Sequence, residues 1–173
     1  MAPTIWTVGH STRPIEEFLA LLNGAAIETV VDVRRFPGSR RYPQYNQQQL
    51  HDSLADAEIR YEWLRELGGR RKPDADSPNT AWRNASFRAY ADYMQTEAFE
   101  ASVDRLTSMA AAGRTALMCS EAVWWRCHRS LIADYLKIRG YTVMHILSED
   151  KQQEHPYTSA AHIEDGRLSY ASQ

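Results

Sequence analysis

Thr115-Ala-Leu-Met-Cys-Ser-Glu-Ala-Val-Trp-Trp-Arg-Cys-His-Arg129 packs two thiols, an acid, two indoles, a histidine and two arginines into fifteen residues, and its reading decides the fold. Thr115 to Met118 is a short apolar run suited to a buried strand, and after Arg129 the residues Leu131, Ile132, Tyr135 and Leu136 recur at helical spacing. The stretch is therefore a strand running into a helix, with the polar cluster at the strand's carboxyl end. In open α/β sheets that edge is where ligands bind. Cys127 and His128 are expected in the helix's first turn, where unpaired backbone N–H groups face an anion.

Working outward, Ile5 to Val8 is a short strand that ends in Gly9-His10-Ser11-Thr12, and Pro14 opens a helix with Ile15, Phe18, Leu19 and Leu22 on one face. Glu28 to Val33 is a β-branched strand that also finishes in polar residues, Asp32, Arg34 and Arg35. Two strands joined through a helix predict a parallel pair with a right-handed crossover. Gln47 to Ala57 reads as a helix and Ile59 to Leu64 as a third strand. A short helix follows around Phe87, Tyr90 and Met94, then a longer one from Phe99 to near Gly113. Beyond the central strand and helix, Tyr141 to Leu147 forms a further strand, and the polar tail from Ser148 carries an edge strand at Arg167 to Tyr170. The alternation predicts an α/β fold, a single-domain doubly wound, mainly parallel sheet with helices on both faces.

At 173 residues, 43% of them hydrophobic, the chain suits one core rather than two. The net charge of -2 excludes a polybasic coat, yet 17 of the 20 basic residues are Arg, the side chain suited to bidentate phosphate or carboxylate contacts. Between Arg34 and Arg88 there are eleven basic residues against seven acidic ones, so a local anion-binding surface is compatible with an acidic protein. Two cysteines make no disulfide framework, no N-terminal stretch has a signal-peptide layout, and no apolar run approaches a membrane span. A soluble protein in the reducing cytoplasm, with no membrane partner, is expected.

The strand ends bring Gly9-His10-Ser11, Asp32-Val33-Arg34 and Cys119-Ser120-Glu121 to one rim, beside Trp124 to Arg129 and the loop from Arg34 to Asn46. That loop holds four Arg and three aromatic rings and no acid, a mixture seen in nucleic-acid interfaces. Glu121, flanked by indoles, and Asp32 are the candidate catalytic carboxylates, and Cys119 a candidate catalytic thiol. Asp32 reads equally as the orienting partner of Arg34, and both cysteines as packing. The candidate substrate-binding set is His10, Ser11, Arg34, Arg35, Ser39, Arg40, Tyr45, Trp124, Trp125, Arg126, Cys127, His128 and Arg129. One of the two adjacent indoles is expected to line the pocket and stack on a base. The thiol spacing matches no usual zinc pattern, so neither metal nor cofactor is expected.

Thr7-x-Gly9-His10-Ser11-x-Arg13, Val31-Asp32-Val33-Arg34-x-x-Pro37-x-Ser39-Arg40, the Leu67-Gly68-Gly69 turn, and Cys119-x-Glu121 followed by Cys127-His128-Arg129 together resemble the domain-of-unknown-function 488 family. The resemblance covers nearly the whole chain and implies an α/β fold with these polar residues as the recurring set. It implies no reaction, so function must come from the site. The leading expectation is an enzyme on a phosphate-bearing substrate, nucleic acid or a nucleotide, with N-glycosidic cleavage of an alkylated base as its sharpest form. The alternatives are a thiol-dependent enzyme using Cys119 or Cys127 on a small anion, and a non-catalytic nucleic-acid or nucleotide-binding module.

Overall fold

Six strands form one mixed sheet in the computed structural model, which describes residues 3–69 and 71–172. The strands are β1 (Thr4–Gly9), β2 (Thr29–Asp32), β3 (Arg60–Trp63), β4 (Thr115–Cys119), β5 (Thr142–Ser148) and β6 (Lys151–Glu154), in the order β3-β2-β4-β1-β5-β6. The first five run parallel and β6 returns antiparallel along β5. β2 and β4 are buried along their whole length, as parallel strands covered on both faces must be.

Alternate side chains point to opposite faces and seed two cores. Trp6, Val8, Val30, Ala116 and Met118 pack under α1 (Ile15–Gly24) and α2 (Gln47–Asp56) through Phe18, Leu22, Leu50 and Leu54. Ile5, Val31, Leu117 and Val143 pack on the other face, under α3 (Ala85–Tyr93), α4 (Glu97–Ala112) and α5 (Arg129–Ile138). The fold is thus α/β with helices on both sides of a mainly parallel sheet, and the periodicities above place its main strands and helices to within a few residues. Among the described residues no helix is long and apolar enough to cross a membrane.

Two expectations change. Arg167–Ser169 (β8) pairs only with His162–Glu164 (β7), as a separate hairpin, and the sheet's edge is β6 instead. Asp165 and Gly166 sit at φ 52° and 74°, the left-handed pair that a two-residue hairpin turn requires, which folds this segment on itself. Cys127 is not in the helix: Trp124–Arg126 makes a 3-10 turn, Cys127 is extended at φ -128°, ψ 148°, and His128 occupies the cap position before α5.

β1 leads through α1 toward β2 on one side of the sheet, while β4 leads through α5 to β5 on the other. Neighbouring strands whose connections part in this way open a crevice at their carboxyl ends. Gly9 pairs with Cys119 and Asp32 with Met118, so the three motifs end level with one another.

Candidate active site

At that crevice lies an open cleft of about 690 Å³. Of the residues expected at the site, His10, Ser11, Arg34, Arg35, Ser39, Cys119, Glu121, Arg126, Cys127 and His128 line it. Asp32, Arg40, Tyr45, Trp124, Trp125 and Arg129 do not.

The strand ends approach so closely that glycine is needed. A Cβ on Gly9 would lie 1.7 Å from the Glu121 carbonyl oxygen, and one on Gly68 would lie 2.6 Å from Arg35 Cα. The backbone after β1 is held to the turn after β4 by His10 N–H donating to Cys119 O at 2.9 Å and Ser11 N–H to Ser120 O at 3.0 Å. His10 stacks on Tyr45 at 4.0 Å, and its Nδ1 meets Ser11 O at 2.8 Å. Burial lowers its pKa to about 4, so it is a neutral group at pH 7.

Asp32 is hydrogen-bonded to Arg34 as the orienting reading expects, and it does not line the cleft. It is fully buried; its Oδ2 accepts Arg34 Nη2–H at 2.7 Å and the Tyr61 hydroxyl at 2.6 Å, and its Oδ1 accepts Arg34 Nε–H at 2.9 Å and Arg34 N–H at 3.0 Å. Arg34 Nη1 donates in turn to Tyr45 O at 2.8 Å, which ties the basic loop to the strand end. Burial acts to lower the Arg34 pKa, but the hydrogen bonds and charge of Asp32 outweigh it and raise it. Tyr45 donates from its hydroxyl to Arg13 O at 2.7 Å beneath His10, a supporting place. Arg40 lies with Pro43 and Asn46 over an adjoining hollow that shares Gly38 and Ser39 with the cleft.

The indoles also depart from expectation. Trp124 is buried, stacked on His145 and donating to Gln153 Oε1 at 3.0 Å, while Trp125 is 54% exposed. Neither lines the cleft, so Glu121, which does and is itself exposed, is not flanked by desolvating rings. Besides the two imidazoles, the rings that line it are Phe36, Tyr42, Phe87 and Tyr90. Phe87 and Tyr90 come from α3, whose start is fixed by the Asn84 side chain accepting from Ser86 N and Phe87 N. Their three-residue spacing reads from sequence as an ordinary core face, so only the Asn84 cap and the nearby Gly68-Gly69 loop could have marked them.

The thiols carry the most developed chemistry. Cys127 Sγ lies 3.5 Å from His128 Nδ1, and His128 Nε2 lies 3.0 Å from Val33 O. With that carbonyl as acceptor, Nε2 carries the ring proton and Nδ1 faces the thiol. Tyr90 packs on His128 at 5.0 Å and anchors the neighbouring loop by donating to Leu67 O at 2.7 Å. Arg129 N–H donates to Cys127 Sγ at 3.4 Å. The Arg129 guanidinium is 1% exposed and donates from Nη2 to Ala122 O at 3.1 Å, with no partner for Nε and Nη1 among the described residues. Burial pushes the Cys127 thiol up, but the neighbouring Cys119 thiol, the Arg129 charge and the Arg129 N–H bring it below its ordinary value. Burial, and after it the neighbouring Cys127, push Cys119 well up. Burial lowers His128.

No group of three or more His, Cys, Asp or Glu side chains is arranged to hold a metal ion among the described residues. No curated protein and no solved structure matches the chain. The family model described as Domain of unknown function DUF488 matches residues 14–136, well over half of the chain and including the whole Arg34 loop and the Cys119 to Arg129 turn. The chain belongs to the DUF488 family.

Proposed function

We propose that the cleft is the active site of a thiol-dependent enzyme in which Cys127 is the nucleophile and the arginine rim holds an anionic substrate. The observation that carries this is the Cys127–His128–Val33 arrangement: a thiol on the cleft, a base 3.5 Å away, and a carbonyl 3.0 Å from the base's other nitrogen. Nucleophile, base and orienting acceptor stand in the relation that covalent catalysis needs. Arg129 acts as a buried counter-charge that favours the thiolate, and Arg35 and Arg126 line the cleft where the substrate's anionic group would sit.

The test is alkylation of Cys127 by anionic iodoacetate and neutral iodoacetamide as a function of pH, read by peptide mass spectrometry. Cys127 should react with a midpoint below the roughly 8.5 of an ordinary thiol. Its iodoacetate-to-iodoacetamide rate ratio should exceed that of free glutathione and fall in Arg126→Gln. Labelling of Cys127 no faster than that of Cys119, with the ratio of a free thiol, overturns the reading.

A second reading, N-glycosidic cleavage of an alkylated base in nucleic acid, is favoured by Glu121, the carboxylate among the lining residues, beside Arg35, Phe36 and Arg126. An aromatic and a guanidinium at the mouth suit a flipped base and its phosphates. Asp32 has no part in it, being committed to Arg34. Base release from methylated duplex DNA that is lost in Glu121→Gln and kept in Cys127→Ser would favour this reading over the first.

A further inference from the structure

Cys119 is a second thiol that the proposed attack by Cys127 leaves unused. It ends β4, is 2% exposed, and lines the same cleft as Cys127. Both cysteines are free. Their surroundings differ in kind. Cys127 receives the Arg129 N–H and faces the His128 ring nitrogen, whereas Cys119 directs its S–H at the Glu121 carbonyl, 3.6 Å away. Cys127 is thus set up to attack, and Cys119 to stay protonated behind it. Two thiols with that asymmetry lining one cleft, each shifting the other's titration, are the components of a dithiol exchange centre, in which the attacking thiol forms a mixed disulfide and its neighbour displaces the bound half.

We propose that Cys119 is the resolving thiol of Cys127, and that the cleft reduces a low-molecular-weight disulfide whose carboxylates are held by Arg35 and Arg126. The proposal rests on Cys127 being the nucleophile. In the first step the Cys127 thiolate attacks one sulfur of the substrate; the substrate S–S bond breaks, and one thiol leaves with the proton that His128 took from Cys127. In the second, Cys119 loses its proton and attacks the Cys127 sulfur, and the other substrate thiol departs with that proton. The substrate is reduced by two electrons and the protein keeps a Cys119–Cys127 disulfide, which an external dithiol reduces to restart the cycle.

The probe is oxidised glutathione, added to the full-length reduced protein and followed by intact mass and by non-reducing peptide mapping. The wild type should lose two hydrogens and yield a linked Cys119–Cys127 peptide. Cys119→Ser, and as a second variant Cys119→Ala, should stop at a stoichiometric glutathione adduct on Cys127, and dithiothreitol should return every form to the starting mass. A wild type that stops at the same adduct overturns the resolving role and leaves Cys127 as nucleophile. Iodoacetate labelling of Cys127 without any reaction with oxidised glutathione overturns the substrate class. Failure of iodoacetate to label Cys127 removes the reading on which both rest. The wild-type peptide map stands on its own should either Cys119 variant fold poorly.

Discussion

The Trp124 indole lies flat on the His145 imidazole, ring centroids 4.7 Å apart and planes 5° from parallel. The stack joins the turn that carries Cys127 to β5, and through it to a buried hydrogen-bonded chain. His145 Nδ1 meets Thr7 Oγ1 at 2.5 Å, His145 Nε2 meets His155 Nδ1 at 2.8 Å, and His155 Nε2 meets Asp134 Oδ1 at 2.8 Å. Asp134 also accepts the Thr158 and Tyr170 hydroxyls at 2.6 and 2.8 Å, which fastens the C-terminal segment to α5. Trp124 therefore positions the site from outside it. Trp124→Ala should cost about 3–5 kcal/mol, the range for emptying a large buried aromatic. Trp125→Ala, at an exposed ring, should stay within about 0.5 kcal/mol. Urea unfolding of the two variants checks the contrast, and equal losses would contradict this division of labour between adjacent residues.

Why the sequence showed the strands but not this division follows from what each signal measures. Apolar runs such as Thr115 to Met118 report burial along a strand, and they were legible because parallel strands are covered on both faces. Lys151–Glu154 gave no such signal, being a polar edge strand recruited by its pairing with β5. Two neighbouring tryptophans carry no information about which one a 3-10 turn will bury. Likewise an aspartate at a strand end looks the same whether it faces substrate or is enclosed. Only the Tyr61 hydroxyl, brought from the neighbouring strand to join the nearby Arg34 on Asp32, shows that it is enclosed.

Asp32 and Arg34 form a buried pair at 2.7 Å with side chains 0% and 8% exposed. Removing one partner of such a pair leaves the other charge uncompensated, which costs about 3–5 kcal/mol. Asp32→Ala should lose stability in that range and Tyr61→Phe, which removes one hydrogen bond to the same carboxylate, about 1.5–3 kcal/mol. Denaturant midpoints provide the measurement. An Asp32→Ala protein of wild-type stability that has lost only turnover would return Asp32 to the catalytic list.

Gly9 faces the Glu121 carbonyl with no room for a methyl group. Because the obstacle is backbone, Gly9→Ala must displace the turn between Cys119 and Cys127 and should cost at least the roughly 1–3 kcal/mol of overpacking. Gly38, with open space around its Cβ position, should accept alanine with little change. The displacement also moves Cys127 relative to His128, so Gly9→Ala should slow Cys127 alkylation in the protein that remains folded, whereas Gly38→Ala should not. Alkylation rates compared at a temperature where both variants are fully folded provide the check.

Buried histidines, His10, His128 and His145 among them, contribute to the pH dependence of stability. Burial lowers His145 from 6.5 to about 2, with the His155 and Arg129 charges acting in the same direction, and burial lowers His10 from 6.5 to about 4. Below 6.5 the unfolded chain takes up protons at these positions while the folded chain does not, so the unfolded state binds more protons and stability falls with falling pH. The loss begins near 6.5 and continues for His10 to about 4 and for His145 toward 2, with full stability retained above 6.5. Melting temperature should accordingly drop between about pH 7 and about pH 5, where ordinary carboxylates are still mostly ionised. His145→Gln keeps a polar group among Thr7 and His155 but removes the titration, so it should start less stable and show a shallower slope. A wild-type melting temperature that is flat across this interval, or an unchanged slope in His145→Gln, would mean that the buried chain takes up protons without unfolding.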